Sequence, residues 1–168
     1  MASQHSHTTS PFSRNKFPIT VICNGLQSPA NVGSLFRICD AFGVQEIIFF
    51  NAVIDFTSPR LRRTSRNTHE RVPYLVKDHI TSELKKLIDS GFTLIALEIS
   101  SNSIPLEELL IPNQKIGLII GNEKDGISPD VLEKVSQTIH IEMYGNNSSM
   151  NVVQATGIAL HSITNQLK

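Results

Sequence analysis

The sequence predicts an α/β domain, a parallel sheet with helices on both faces. Short, uniformly apolar segments rich in β-branched residues recur along the chain, as strands buried on both faces require. Segments with apolar residues at helical spacing lie between them, the alternation that builds a parallel sheet. The chain has 168 residues and is 40% hydrophobic, which fits one domain with a substantial core.

In chain order, residues 1–16 are polar and rich in Ser, Thr and His, and read as a disordered tail before a domain spanning 17–168. His5 and His7 are too sparse for a metal site. The run Ile19 to Cys23 is the first strand. Leu35, Phe36, Ile38, Cys39 and Phe42 then recur as one helical face, ending at Gly43, a suitable C-cap. Glu46 to Phe50 is the second strand, Thr81 to Ser90 an amphipathic helix stopped by Gly91, and Phe92 to Leu97 and Ile116 to Ile120 two more strands. Pro129 to Val135 reads as a helix with Ser128 as its N-cap. Thr138 to Ile141 is the last strand, and Asn151 to Leu167 the last helix. Ligands of such sheets sit beyond the carboxyl ends of the strands, so the loops after Cys23, Leu97, Ile120 and Ile141 are the places to look.

Composition removes several function classes. No run of 18 apolar residues exists, and the N-terminus lacks the charged and apolar regions of a secretory signal, so a cytoplasmic protein without a membrane span is expected. Two cysteines, Cys23 and Cys39, are too few for a disulfide scaffold and read as buried thiols; no metal is expected. Fifteen basic residues balance fifteen acidic ones, but unevenly. Residues 1–77 hold nine Lys/Arg against four acids, a net +5, and the remainder holds six against eleven, a net −5. Arg60, Arg62, Arg63, Arg66 and Arg71 fall within twelve residues, opposed only by Glu70. Guanidinium forks suit phosphate, so this cluster is a candidate polyanion contact; a solvated helix face is the alternative.

No G-x-G-x-x-G dinucleotide fingerprint is present. Gly121 to Ser128 mimics a phosphate-cradling loop in its glycine spacing, but Ile127 stands where the lysine belongs, and triphosphate binding is rejected. Three stretches remain. In Asn31-Val-Gly33-Ser-Leu-Phe-Arg37, Arg37 is the only basic residue between Asn24 and Phe50. The second is the Gly121–Ser128 loop with Glu123, and the third the polar loop from Glu142 to Asn151. Each also has a plain structural reading: a helix start with a packing glycine, an ordinary strand-to-helix connection, and a helix N-cap at Asn151 or Ser149.

Together the three resemble the signature of the SpoU/TrmH branch of the SPOUT RNA methyltransferases. Asn31, Gly33 and Arg37 match its N-x-G-x-x-x-R motif, followed by Phe42-Gly43. Gly121, Asn122, Glu123, Gly126, Ile127 and Ser128 match the second motif. Ile141, Met143, Gly145, Ser149, Met150, Asn151 and Val152 match the third. The order and separations agree, and the resemblance covers roughly residues 17–167. Glu142 replaces a frequent proline, and Val153-Gln154-Ala155 replaces a frequent Ser-Val-Ala. Thr64 to His69 is similar to a stretch of the tRNA-modifying members.

The resemblance implies a deep C-terminal trefoil knot, which topology rules would not have suggested. It implies S-adenosylmethionine as cofactor, a homodimer whose partner helps complete each site, and methyl transfer to a ribose 2′-hydroxyl of RNA. It places Arg37 at that hydroxyl and its neighbouring phosphate, with Asn31 orienting the phosphate or Arg37, Glu123 holding Arg37 or a backbone N–H, and Ser149 and Asn151 shaping the site. The cofactor would rest on Leu97, Gly121, Ile141, Met143, Ser149 and Met150, and Arg60, Arg62, Arg63, Arg66 and Arg71 would meet RNA phosphates. Arginine holds its proton too firmly to serve as a base, so Arg37 is expected to act by its charge. His140 and His161 read as structural. The short tail resembles that of the minimal tRNA-modifying members, which favours tRNA over rRNA. A non-catalytic RNA-binding paralogue of the same fold is the rival reading.

Overall fold

The computed structural model describes residues 14–112 and 115–168. Seven strands form one parallel sheet: β1 (Phe17–Asn24), β2 (Val44–Phe50), β3 (Tyr74–Lys77), β4 (Phe92–Leu97), β5 (Ile104–Pro105), β6 (Lys115–Ile120) and β7 (Gln137–His140). Five α-helices accompany them: α1 (Pro29–Ala41), α2 (Pro59–Ser65), α3 (Ile80–Asp89), α4 (Pro129–Leu132) and α5 (Val152–Gln166). The strand order across the sheet is β3-β2-β1-β6-β4-β7-β5.

Alternate residues of a strand face opposite sides, and here both sides are apolar. Val21 and Cys23 of β1, Ile47 and Phe49 of β2, and Leu118 and Ile120 of β6 join Leu35, Phe36 and Cys39 of α1 and Leu160 and Ile163 of α5 in the larger core. Ile22, Ile48 and Ile119 point the other way, against Leu84 and Leu87 of α3 and Val131 of α4. Burial pushes the thiols of Cys23 and Cys39 well above their ordinary range, so both remain protonated in the core.

The expected α/β class and five expected strands are present, Phe92–Leu97 with both ends as expected and the others with ends shifted by at most two residues. α4 is shorter than anticipated, and Ser128 sits at its N-cap position without a side-chain cap bond. Three elements have no counterpart in the sequence reading. Helix α2 buries only Leu61 and Ser65, so it carries little apolar period. β3 is an exposed edge strand, and β5 has two residues. Of the tail expected over residues 1–16, positions 1–13 lie outside the described residues. Asn15 runs close against Gly43, and Lys16 Nζ donates to the Val44 carbonyl (3.0 Å).

This order sets the site. β6 enters between β1 and β4, so Cys23 pairs with Ile120, Ile120 with Leu97, and Leu97 with Ile139 in one row at the carboxyl edge. The loops after β1, β6, β4 and β7 therefore emerge side by side.

Candidate active site

The loops after β4, β6 and β7 and the start of α5 enclose an open cavity of about 1010 Å³. Leu97, Gly121, Ile141, Met143, Ser149 and Met150 all line it. Leu132 and Val152 add apolar wall, while Glu98, Glu123 and Asp125 set three carboxylates against the single ammonium of Lys124.

The wall formed by the loop after β6 is unusually closed upon itself. Asn122 Oδ1 accepts from the backbone N–H of Lys124 (2.8 Å) and Asp125 (2.6 Å), and the Asn122 carbonyl accepts from Gly126 (3.2 Å). The Ile127 N–H donates to Glu98 Oε2 (3.0 Å). Every N–H from Lys124 to Ile127 is thus taken within the protein. Gly121 lets the loop fold this tightly: a Cβ there would lie 2.3 Å from the Gly126 carbonyl carbon and 2.5 Å from its oxygen.

Three of the residues singled out in sequence meet in one hydrogen-bonded chain. The Asn31 side-chain amide donates through Nδ2 to Glu123 Oε1, and its Oδ1 accepts from Asn151 Nδ2 (3.2 Å). Asn151 Oδ1 in turn accepts from the N–H groups of Val153 (2.9 Å) and Gln154 (3.4 Å), capping α5. The N-cap reading and the site reading of Asn151 therefore hold together. The partner expected for Glu123 is Arg37 or a backbone N–H; among the described residues its carboxylate instead accepts from the Asn31 side-chain amide. Asn151→Ala removes the cap and should cost about 1 kcal/mol, lowering Tm by roughly 2–4 °C. Asn151→Asp keeps a capping oxygen and should hold Tm near the wild-type value in a thermal melt. It removes the donor to Asn31 and leaves two carboxylates competing for one amide.

Arg37 lies elsewhere. It is exposed on α1, six residues and about 9 Å along the axis from Asn31. It does not line the cavity, and among the described residues it forms no salt bridge. One turn before it, Gly33 brings α2 into contact; a Cβ there would meet the Leu61 carbonyl oxygen at 2.4 Å. α2 carries Arg60, Arg62 and Arg63, with Arg66 at its C-cap and Arg71 just beyond the 3-10 turn Thr68–Glu70. All five are exposed, and among the described residues none is in a salt bridge. Arg62 Nε donates to the Phe56 carbonyl (3.2 Å).

His140 lines the cavity and bonds through Nδ1 to Ser103 Oγ (2.9 Å). Ser103 spends its one hydroxyl hydrogen on the Ser100 carbonyl (2.8 Å), so His140 Nδ1 must carry the proton of that bond. His161 is remote, next to Asn165 on α5. Glu142 accepts from the Tyr144 hydroxyl (2.5 Å), and this bond holds the Tyr144 pKa above its usual value. Sequence reasoning missed Glu98; an acid directly after an apolar strand, in a segment without a basic neighbour, was the available signal.

Comparison with known proteins adds the family. The model of the SpoU rRNA Methylase family matches residues 18–161. The chain is 26% identical over 144 residues to a 23S rRNA (guanosine(2553)-2′-O)-methyltransferase of Bacillus subtilis, covering 85% of this chain and 56% of that protein. It is 28% identical over 149 residues to a tRNA (guanosine(18)-2′-O)-methyltransferase of Aquifex aeolicus, covering 88% and 69%. Among solved structures, the A. aeolicus TrmH/SpoU tRNA modifying enzyme superposes with a TM-score of 0.80 at 26% identity, covering 91% of this chain and 77% of that one. The AdoMet-bound rRNA methyltransferase of Sinorhizobium meliloti shares the fold with a TM-score of 0.83 at 20% identity, covering 94% and 59%. The chain spans 56% and 69% of the length of the two curated relatives. With the match running over nearly all of the described sheet and through all three motif stretches, the chain belongs to the SpoU rRNA Methylase family.

Proposed function

We propose that this chain transfers a methyl group from S-adenosylmethionine to a ribose 2′-hydroxyl of RNA, with tRNA as the substrate. The observation that carries the reading is the cavity whose lining residues Glu123 and Asn151 both bond Asn31, joining two of its loops to helix α1. Family membership and the names of both relatives support it. The Thr64 to His69 stretch, similar to one in the tRNA-modifying members, supports tRNA, and its Thr64 packs against Gly33 of α1.

The residues present suit the cofactor. An adenine needs a flat apolar slot edged by peptide groups, and Leu97, Ile141, Met143 and Met150 would supply the walls, with Gly121 and Ser149 at the edges. The carboxylates of Glu123 and Asp125 outnumber the single ammonium of Lys124, which suits a sulfonium cation, while both oxygens of Glu98 are taken by backbone N–H groups. When bound, S-adenosylmethionine supplies an electrophilic methyl group, which exchanges its bond to sulfur for one to the ribose oxygen.

The chain's own residues position and polarise. Arg37, a fixed cation, would stabilise negative charge developing on the ribose oxygen and hold the adjacent phosphate, and the hydroxyl proton would pass to a phosphate oxygen. Asn31 would keep α1, and Arg37 with it, in register with the pocket, while Glu123 and Asn151 fix the direction of its amide. Aligning nucleophile and methyl group in this way is where most of the rate would come from.

Exposed Arg60, Arg62, Arg63, Arg66 and Arg71 would bind phosphates outside the pocket. Binding of tRNA should weaken with salt, and neutralising Arg60, Arg62 and Arg63 should flatten the slope of log K against log [salt] by about 0.7–0.9 for each phosphate left unneutralised. Filter binding across a salt series measures this.

The same proposal includes a homodimer, supported by exposed Ile99 and by Tyr144 on the loop that carries Met143. It includes the deep C-terminal knot, supported by the late insertion of β6 between β1 and β4. It includes a cytoplasmic setting, where tRNA and the cofactor coexist.

The test is incubation with tritiated S-adenosylmethionine and, separately, total tRNA or ribosomal RNA. Label entering tRNA is the expected result, and label entering only ribosomal RNA would move the substrate assignment. Cofactor binding refused at millimolar concentration would favour a binding-only paralogue.

A further inference from the structure

Glu98 follows β4 directly and is assigned no part by any of the three motif stretches. Three of its groups reach three chain segments. Its backbone N–H donates to the Ile139 carbonyl (2.9 Å), tying the end of β4 to β7. Oε1 accepts from the Ile99 N–H (2.9 Å), which turns the chain out of the strand. Oε2 accepts from the Ile127 N–H (3.0 Å) across the cavity wall, in the loop after β6. The approach to that loop is close: Gly126 has φ +64, and a Cβ on it would lie 2.5 Å from Glu98 Oε2.

We infer that Glu98 is a positioning residue for the cofactor pocket, a carboxylate clamp that holds the Gly121–Ser128 loop against the end of β4. The inference rests on the cofactor reading above. Its physical basis is the count of donors and acceptors. A carboxylate is acceptor-only, so its two oxygens can each satisfy a backbone N–H at once. Glutamine has the same shape and a single acceptor oxygen; its amide would have to face one of those N–H groups donor to donor. Bonds to a charged acceptor are the stronger kind, which suits a segment whose one buried apolar side chain is that of Ile127. Releasing the Ile127 N–H would let Gly126 and Ile127 move away from Gly121 and loosen this wall of the cavity.

Two measurements on the intact protein test the clamp, with Glu98→Gln and Glu98→Ala compared against wild type. Hydrogen exchange is read on the 121–128 segment, and S-adenosylmethionine and S-adenosylhomocysteine binding is read by calorimetry. In Glu98→Ala the Ile127 amide should exchange at least about tenfold faster, with both ligands bound on the order of tenfold more weakly. Glu98→Gln should lie between. KM for S-adenosylmethionine should rise in the same order while kcat at saturation stays within about twofold, a split that mere loss of stability would not give. Should the alanine variant fail to fold, the glutamine variant carries the same comparison. Folded variants that bind both ligands as wild type does would overturn the inference and leave the cofactor reading intact. Wild-type protein that binds neither ligand would overturn both.

Discussion

Replacing Arg37 by Ala is expected to lower methyl transfer by about 10²–10³-fold while leaving S-adenosylmethionine affinity unchanged. The separation follows from where the residue sits. Arg37 is exposed on α1, outside the cavity. Its removal therefore takes away a charge at the proposed ribose position and nothing from the cofactor pocket. Calorimetry with S-adenosylmethionine alongside single-turnover transfer to RNA reads the two effects separately. Arg37→Lys keeps the charge and loses the planar fork, so it should recover only part of the activity. Near-normal turnover in that variant would show that charge alone suffices.

Gly121→Ala is expected to abolish cofactor binding. The added Cβ would sit 2.3 Å from the Gly126 carbonyl carbon, against backbone that cannot swing aside as a side chain does. To admit it, the loop must open, breaking the Gly126 N–H to Asn122 bond and pulling Ile127 from Glu98. Overpacking of this kind costs about 1–3 kcal/mol, so the fold should survive with a lower Tm. Calorimetric titration with S-adenosylmethionine, checked by circular dichroism on the same sample, decides it. Wild-type affinity in a folded Gly121→Ala protein would contradict the described loop.

Much of the fold is legible in the sequence because the strands are buried on both faces. Ile19 to Cys23, Phe92 to Leu97 and Ile116 to Ile120 are apolar runs too short for helices, and the loops after the last two help enclose the cavity. β3 is not legible, since its Tyr74, Leu75 and Val76 are exposed at the sheet edge and follow no core-facing alternation. α2 escapes notice because it meets α1 through the Gly33 backbone contact more than through an apolar stripe. Strand order cannot be had from periodicity, which says nothing of β6 entering between β1 and β4. Within the site, Asn31, Glu123 and Asn151 are legible as residues but their partners are not. Asn31 is expected from the sequence to serve Arg37 or a phosphate, and it bonds Glu123 and Asn151, which are 92 and 120 positions away. Glu98 carries no motif; its place directly after an apolar strand marks it in sequence, and the tertiary contact with Ile127 gives its partner.

Alkaline hydrolysis of tRNA labelled by this protein from tritiated S-adenosylmethionine tests the central claim most directly. A 2′-O-methyl group removes the nucleophile that cleaves the neighbouring phosphodiester, so a ribose-methylated nucleotide survives alkali joined to its 3′ neighbour. The account requires the label in alkali-resistant dinucleotides, and its disappearance when Arg37→Ala replaces the wild type. Label recovered in single nucleotides would place the methyl group on a base and contradict it.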